Sequence, residues 1–206
     1  EAAVGYLRKE KNIKVGIVHV TSFRPFPGEK LTEALKHVRS ISVLERMDNP
    51  LAESNPLTIE IKAALADYIQ RDKTGNMKIP KIYSGSAGLG SRDVRPDDII
   101  AVVENMIKDK KKYFAIGIDH ELGLPVKEST DIRPEGTFSM RGHSVGGYGS
   151  VTTNKVIATI VADLFDMYVQ AYPKYGSEKK GLPTTYYLTA STSHVKTHNE
   201  LEFVEF

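Results

Sequence analysis

Residues 137–173, TFSMRGHSVGGYGSVTTNKVIATIVADLFDMYVQAYP, limit the possible folds more than any other stretch. A short strand-like run over 137–140 leads into glycines at 142, 146, 147 and 149. Val151, Ile157, Ile160, Val161 and Leu164 then fall at helical spacing, and residues 167–171 read as a second strand. Strand, glycine turn, helix and strand together predict a βαβ unit with its glycines where a phosphate would sit. Glycine admits positive φ and lets backbone approach a bulky anion. The first N–H groups of the following helix have no internal acceptor, and that end of the helix dipole is positive. The spacing Gly-x-x-x-Gly-Gly-x-Gly is neither the dinucleotide fingerprint nor a Walker A loop. Ser144, Ser150, Thr152 and Thr153 add hydroxyl donors that favour a ligand. The competing reading is a tight turn whose glycines only let the helix pack on the strand.

With 206 residues the chain can build one large domain or two small ones. A net charge of +2 gives no broad basic face, so nucleic acid is not the expected partner. The chain has no cysteine. That excludes disulfides, a thiol nucleophile and a cluster held by this segment, and it accords with a cytoplasmic location. No apolar run approaches the ~20 residues of a membrane span. The opening EAAVGYLRKEKN lacks the apolar stretch of a signal peptide. It reads instead as the end of a helix with Ala2, Ala3, Tyr6 and Leu7 on one side, which suggests a piece of a longer polypeptide.

Ahead of the βαβ unit, strands are expected at 15–20 (VGIVHV), 41–44, 80–83 and 113–118. The proline-rich segment 23–27 is a loop. A helix over 29–38 would turn Leu31, Ala34, Leu35 and Val38 inward. A second, capped by Thr58 and running to about Arg71, would bury Ile61, Ala64, Leu65 and Tyr68. Pro96, followed by Asp97 and Asp98, is a well-formed start for a third helix, to Lys108. Strands alternating with helices predict an open parallel α/β sheet over residues 1–120. Its own glycine turn, with Gly85, Gly88 and Gly90, lies at the carboxyl end of a strand. The favoured reading there is structural, with Arg92 and Asp93 paired to fasten the loop. Residues 121–136 lose periodicity and read as a linker. After residue 173 come a basic loop, a strand at 184–190, a polar stretch and a last apolar run at 201–206. His194 and His198 stand four apart on polar chain without a third ligand, so no metal site is expected. No catalytic constellation is visible.

Several of these stretches together resemble a known family. KVGIVHVTSFRPFPGEKLTEAL, ISVLERMDNP, IYSGSAGLGSRDVRPDDIIAVVENM and YFAIGID are similar to the second domain of pyruvate:ferredoxin oxidoreductases, itself similar to the transketolase C-terminal domain. GGYGSVTTNK followed by DMYVQAYPKYGSEKKG resembles the opening of that family's γ domain. The resemblance implies an α/β chain of two open, mainly parallel Rossmann-like sheets. The transketolase C-terminal-like domain would occupy 1–120 and the start of the γ domain 137–206. It implies a 2-oxoacid oxidoreductase that makes acyl-CoA and carbon dioxide and reduces ferredoxin or flavodoxin, in a homodimeric full enzyme. It further implies that thiamine diphosphate and [4Fe-4S] clusters are held outside this segment. In the family the γ domain binds coenzyme A. The matching residues here are Gly146, Gly147, Tyr148, Gly149 and Ser150, with Lys179 of the basic loop placed to reach a phosphate. The alternative is a free-standing nucleotide-binding or flavodoxin-like module.

Overall fold

The computed structural model describes residues 1–72, 78–126, 129–175 and 181–206. The chain forms two compact units, residues 3–128 and residues 1–2 with 129–206. The first helix, α1 (Ala2–Lys9), buries Ala3 and Leu7, two of the residues that the amino-terminal pattern places on one side.

In residues 3–128, strands β1 (Ser40–Glu45), β2 (Lys81–Ser86) and β3 (Tyr113–Ala115) make a parallel sheet in that order. Register runs from Ser40 opposite Lys81 to Glu45 opposite Ser86. Alternation along the strands sends side chains to two faces. Ile41 and Val43 pack with Leu31 of α2 (Gly28–Leu35) and with Ile61 and Leu65 of α3 (Pro56–Arg71). Tyr83 and Phe114 pack with Val102 of α4 (Pro96–Ile107), Ile116 and Leu124. Gly85 is required on the second face, because a Cβ there would fall inside the Phe114 ring and press on Leu44.

Several expectations for this unit need correction. Residues 15–20 form no strand and join no sheet among the described residues. Val20 reaches the Leu31 cluster, whereas Ile17 and Val18 are exposed. A β-branched run becomes a strand only when a neighbouring ladder accepts its backbone. In α2, Ala34 and Val38 are exposed, and the buried position goes to Thr32, whose hydroxyl donates to the Gly28 and Glu29 carbonyls. The helix stops at Leu35, before Val38. The last strand ends at Ala115 rather than Ile118. Gly117 turns the chain at φ +74°, and Ala115 then bridges Gly123 while Leu124 enters the core.

Thr58 is not the cap of α3. The helix starts two residues earlier, and its first N–H groups are taken by a carboxylate from β1. Leu57 N donates to Glu45 Oε1 (2.7 Å) and Thr58 N to Glu45 Oε2 (3.1 Å). The Thr58 hydroxyl donates to the same oxygen at 3.0 Å. A full negative charge at a helix start is a stronger partner than a hydroxyl. Pro96 does open α4, as its sequence predicts. The Asp98 carboxylate accepts the Arg95 N–H at 2.9 Å. Burial pushes the Asp98 carboxyl above its ordinary range, and that hydrogen bond works against the rise.

The second unit contains β4 (Phe138–Val145), α5 (Ser150–Phe165), β5 (Tyr168–Lys174) and β6 (Pro183–Ser191). The α/β class holds, but this sheet is antiparallel where a parallel one was expected. Its order is β4-β6-β5, with β6 antiparallel to both neighbours. The chain leaves β5 and returns beside it, and the returning strand occupies the place between β4 and β5. Gly142 therefore belongs to β4, not to the turn. It lies opposite Tyr186, whose ring fills the space of the missing Cβ. The inward face of α5 also differs. Ile157, Ile160 and Leu164 are exposed, and the buried residue is Asn154, whose Nδ2 donates to the Tyr187 carbonyl at 3.2 Å. Residues 201–206 add to β4 through Glu205 N to Ser139 O and Arg141 N to Phe206 O, both 2.9 Å. The Arg133 guanidinium holds this edge, bonded to Asp131 (2.8 Å) and Glu205 (2.9 Å). Glu205 also accepts the Ser139 N–H at 2.6 Å.

Glu45→Ala strands two helix N–H groups and takes one of the two partners of the Thr58 hydroxyl, and should destabilise residues 3–128 by about 2 kcal/mol in denaturant unfolding. Arg133 holds the carboxyls of Asp131 and Glu205 below their ordinary range. Both ionise more readily folded than unfolded, so their stabilisation is complete above the ordinary carboxylate range and is lost as pH falls through the lowered values. Amide exchange at Ser139 and Glu205 should accelerate on acidification below about pH 4, beyond the intrinsic pH effect, and Arg133→Gln should abolish that dependence.

Candidate functional site

The turn between β4 and α5 divides its backbone groups between two tasks. Gly146 is buried and faces the β6 side. Its N–H donates to Leu182 O at 2.9 Å, and its carbonyl accepts the Gly181 N–H at 3.0 Å. That residue is committed to closing the sheet. Gly147 (φ +100°) and Gly149 (φ +80°) then swing the chain into the helix. Tyr148, between them, donates its N–H to Val145 O at 3.4 Å and leaves its ring 83% exposed.

Gly149 is the N-cap of α5, in left-handed conformation and without a side-chain capping bond. Its carbonyl accepts both the N–H (2.9 Å) and the hydroxyl (3.2 Å) of Thr153. The N–H groups of Ser150, Val151 and Thr152 precede the first intrahelical bond and so lack an acceptor within the helix. A Cβ at Gly149 would meet nothing within 4 Å, so space is open beside the cap itself. Of the predicted residues, Gly147, Tyr148, Gly149 and Ser150 gather at this opening, and Gly146 anchors it from below. Lys179 lies outside the described residues, as does Glu178. Ser144 does not contribute a donor, because its hydroxyl turns to the Val145 carbonyl at 3.4 Å.

The second glycine turn follows β2. Gly88 (φ +64°) and Gly90 (φ +62°) flank Leu89 in a short 3-10 turn over Leu89–Ser91. Asp93 Oδ1 accepts the Val94 N–H at 3.0 Å, which fixes the loop locally, and Arg92 is exposed. His194 and His198 are spent on stacking, against Tyr168 (4.8 Å) and Tyr172 (4.2 Å). Among the described residues no cluster of His, Asp and Glu could hold a metal ion.

Sequence reasoning missed a buried polar network where β1 and β2 end. Ser84 Oγ lies 3.1 Å from Thr58 Oγ1, and Ser86 Oγ donates to Asp48 at 2.9 Å. Asn55 Nδ2 joins it through Met47 O (3.1 Å) and Ser86 Oγ (3.2 Å). The alternation Ser84-Gly85-Ser86 was the available signal, since it puts two hydroxyls on one face of a buried strand.

Comparison with known proteins matches two stretches of the chain to one family. Residues 1–99 match the model of pyruvate:ferredoxin oxidoreductase core domain II. Residues 139–206 match that of pyruvate ferredoxin/flavodoxin oxidoreductase. The chain belongs to the pyruvate:ferredoxin/flavodoxin oxidoreductase family. It is 34% identical over 186 residues to the pyruvate:ferredoxin oxidoreductase of Moorella thermoacetica, covering 88% of this chain and 15% of that protein. It is 31% identical over 191 residues to a probable pyruvate-flavodoxin oxidoreductase of Escherichia coli K12, covering 89% and 16%. The mitochondrial pyruvate dehydrogenase (NADP+) of Euglena gracilis is 30% identical over 181 residues, covering 85% and 10%. The chain thus spans less than a fifth of these relatives' length. Family membership sets aside an unrelated flavodoxin-like module. No helix among the described residues is long and apolar enough to cross a membrane.

The left-handed cap predicts an asymmetry. Gly149→Ala has room for its methyl group but not for φ +80°, and should cost about 1 kcal/mol. Gly149→Asn, which tolerates that region, should cost less. Thermal melts of the two variants, run in parallel, test the order.

Proposed function

We propose that this chain is a portion of a thiamine-diphosphate-dependent pyruvate:ferredoxin or flavodoxin oxidoreductase that contributes domain packing and coenzyme A binding, not the redox chemistry. Residues 1–120 form its transketolase C-terminal-like domain, 121–136 the connection and 137–206 the beginning of its γ domain. The complete enzyme, a cytoplasmic homodimer on this reading, converts a 2-oxoacid, coenzyme A and oxidised carrier to acyl-CoA, carbon dioxide and reduced carrier. Thiamine diphosphate supplies the decarboxylation and [4Fe-4S] clusters carry the electrons. A chain without cysteine offers no thiolate to a cluster.

The observation that carries the reading is the open helix start at residues 147–152. Ser150, Val151 and Thr152 present N–H groups without helical acceptors, and the Ser150 hydroxyl stands beside them. The positive helix end favours an anionic group there by about 0.3–1 kcal/mol. These donors suit a phosphate or a polar group on the pantetheine side of coenzyme A. Gly147 and Gly149 keep side chains away from the approach, and Tyr148, being exposed, can lie against the ligand. Lys179, outside the described residues, supplies a positive charge, opposed by the adjoining Glu178.

Gly147→Val in the complete enzyme places a branched side chain at φ +100°. The KM for coenzyme A should rise, while oxoacid decarboxylation and thiamine diphosphate binding persist. Lys179→Ala should weaken coenzyme A binding less, and by a smaller factor at high salt, because exposed charges are screened beyond about 8–10 Å. Calorimetric titration with coenzyme A decides. Unchanged affinity in Gly147→Val would reduce the turn to a packing device.

A further inference from the structure

We propose that the free edge of β4 receives a further, parallel strand, supplied by the chain that follows Phe206 in the complete protein. The inference rests on the reading of this chain as a portion of a longer enzyme, since it spans less than a fifth of its relatives' length. In an antiparallel pair, successive residues turn their backbone groups alternately toward the partner and away from it. Gly146 turns toward β6 and donates its N–H to Leu182 O. Ser139 and Arg141 turn away, toward residues 205 and 206. His143 and Val145 have the same parity and so face outward as well. Among the described residues, the Arg141 carbonyl, the N–H and carbonyl of His143 and the Val145 N–H carry no hydrogen bond. A bare edge of this kind is a template for another strand.

The chain itself has begun the ladder that would fill this edge. Glu205 N donates to Ser139 O and Arg141 N to Phe206 O, both at 2.9 Å. From residue 205 to 206 the partner moves from 139 to 141, so the segment runs in the direction of β4. The Glu205 carboxylate pins the start, accepting the Ser139 N–H at 2.6 Å and pairing with Arg133 at 2.9 Å. Phe206 then points its ring into solvent, 81% exposed, and Val145 at the far end of the edge is 43% exposed. Neighbouring strands rise equally per residue, so about four further residues carry the ladder from Arg141 to Val145. A second copy is the weaker occupant, because residues 205 and 206 of the chain itself already hold the first part of the edge.

Direction gives this strand a second consequence. β4 ends at the glycine turn, and a parallel neighbour ends on the same side of the sheet. Open sheets bind ligands outside the carboxyl ends of parallel strands. The chain leaving the added strand would therefore stand beside residues 147–152 and wall the helix start on the side away from β6.

Amide hydrogen exchange tests this in three forms of the protein. They are the 206-residue chain, the same chain extended by about ten of its own following residues, the length of a long strand, and the complete enzyme. The His143 and Val145 amides should exchange freely in the first form and about a hundredfold more slowly in the other two, as strand pairing requires. The Gly142 amide, which faces β6, is the control and should be protected in all three. Protection in the complete enzyme but not in the extended chain would give the edge to another part of the polypeptide and overturn the proposal. Free exchange in all three forms would overturn it too, as would protection of the 206-residue chain that rises with its concentration, the mark of a second copy. Coenzyme A is left out throughout, so these outcomes remove the added strand without touching the ligand reading. A reading frame that closes after Phe206 would remove the larger reading together with the strand.

Discussion

Strand β6 is the member on which residues 129–206 depend. It accepts β4 on one edge and β5 on the other, in register from Val145 opposite Pro183 to Tyr168 opposite Ser191. Neither neighbour pairs with the other, so without β6 there is no sheet for α5 to cover. The glycine turn is bound to the same strand, since Gly146 exchanges two backbone bonds with residues 181 and 182 just ahead of it. Asn154 anchors α5 to β6 through Tyr187. Site and sheet are therefore one construction. A change that slips β6 by one residue reverses every side chain on it and also withdraws the support under the turn.

Residues 3–128 are organised by a different device, a half-buried carboxylate between a strand end and a helix start. Burying polar groups is costly unless each finds a partner. Both oxygens of Glu45 are used, and Thr58, Ser84, Asn55, Ser86 and Asp48 continue the chain of bonds. Ser42 Oγ and Asn154 Oδ1 are the buried side-chain atoms without a partner among the described residues. The network fixes how α3 leaves β1, and so where Arg46 and Asp48 stand at the sheet's carboxyl edge.

How far the sequence predicted this structure depended on whether the signal was local. Pro96 with two aspartates marked α4, and β1, β2 and β6 were visible as apolar or β-branched runs, because those choices are made within a few residues. The segment 15–20 carries the same local signal and is not a strand, because pairing is decided by a neighbour distant in sequence. The same limit hid the antiparallel second sheet. A strand–helix–strand pattern is silent about which later strand will stand between the first two. Thr58 lost the capping role to Glu45, thirteen residues away, for the same reason. The turn after β4 was visible as a cluster of glycines. Its internal division of labour was not, because only pairing with residues 181 and 182 separates Gly146 from its neighbours.

That division bears on what a glycine cluster means. Gly142 is a glycine because Tyr186 needs the space, and Gly85 because Phe114 does. Gly147, Gly149, Gly88 and Gly90 are different, since their conformations lie where L side chains are strained. Gly88 combines both reasons, conformation and the stem of Arg46. A packing glycine replaced by alanine damages the sheet whether or not a ligand exists. Where space is open, as at Gly149 and Gly90, the cost comes from the backbone alone, and any loss of binding comes from misdirected N–H groups. Stability and affinity should then separate by glycine class. That separation distinguishes a turn kept for its ligand from a turn kept for its sheet.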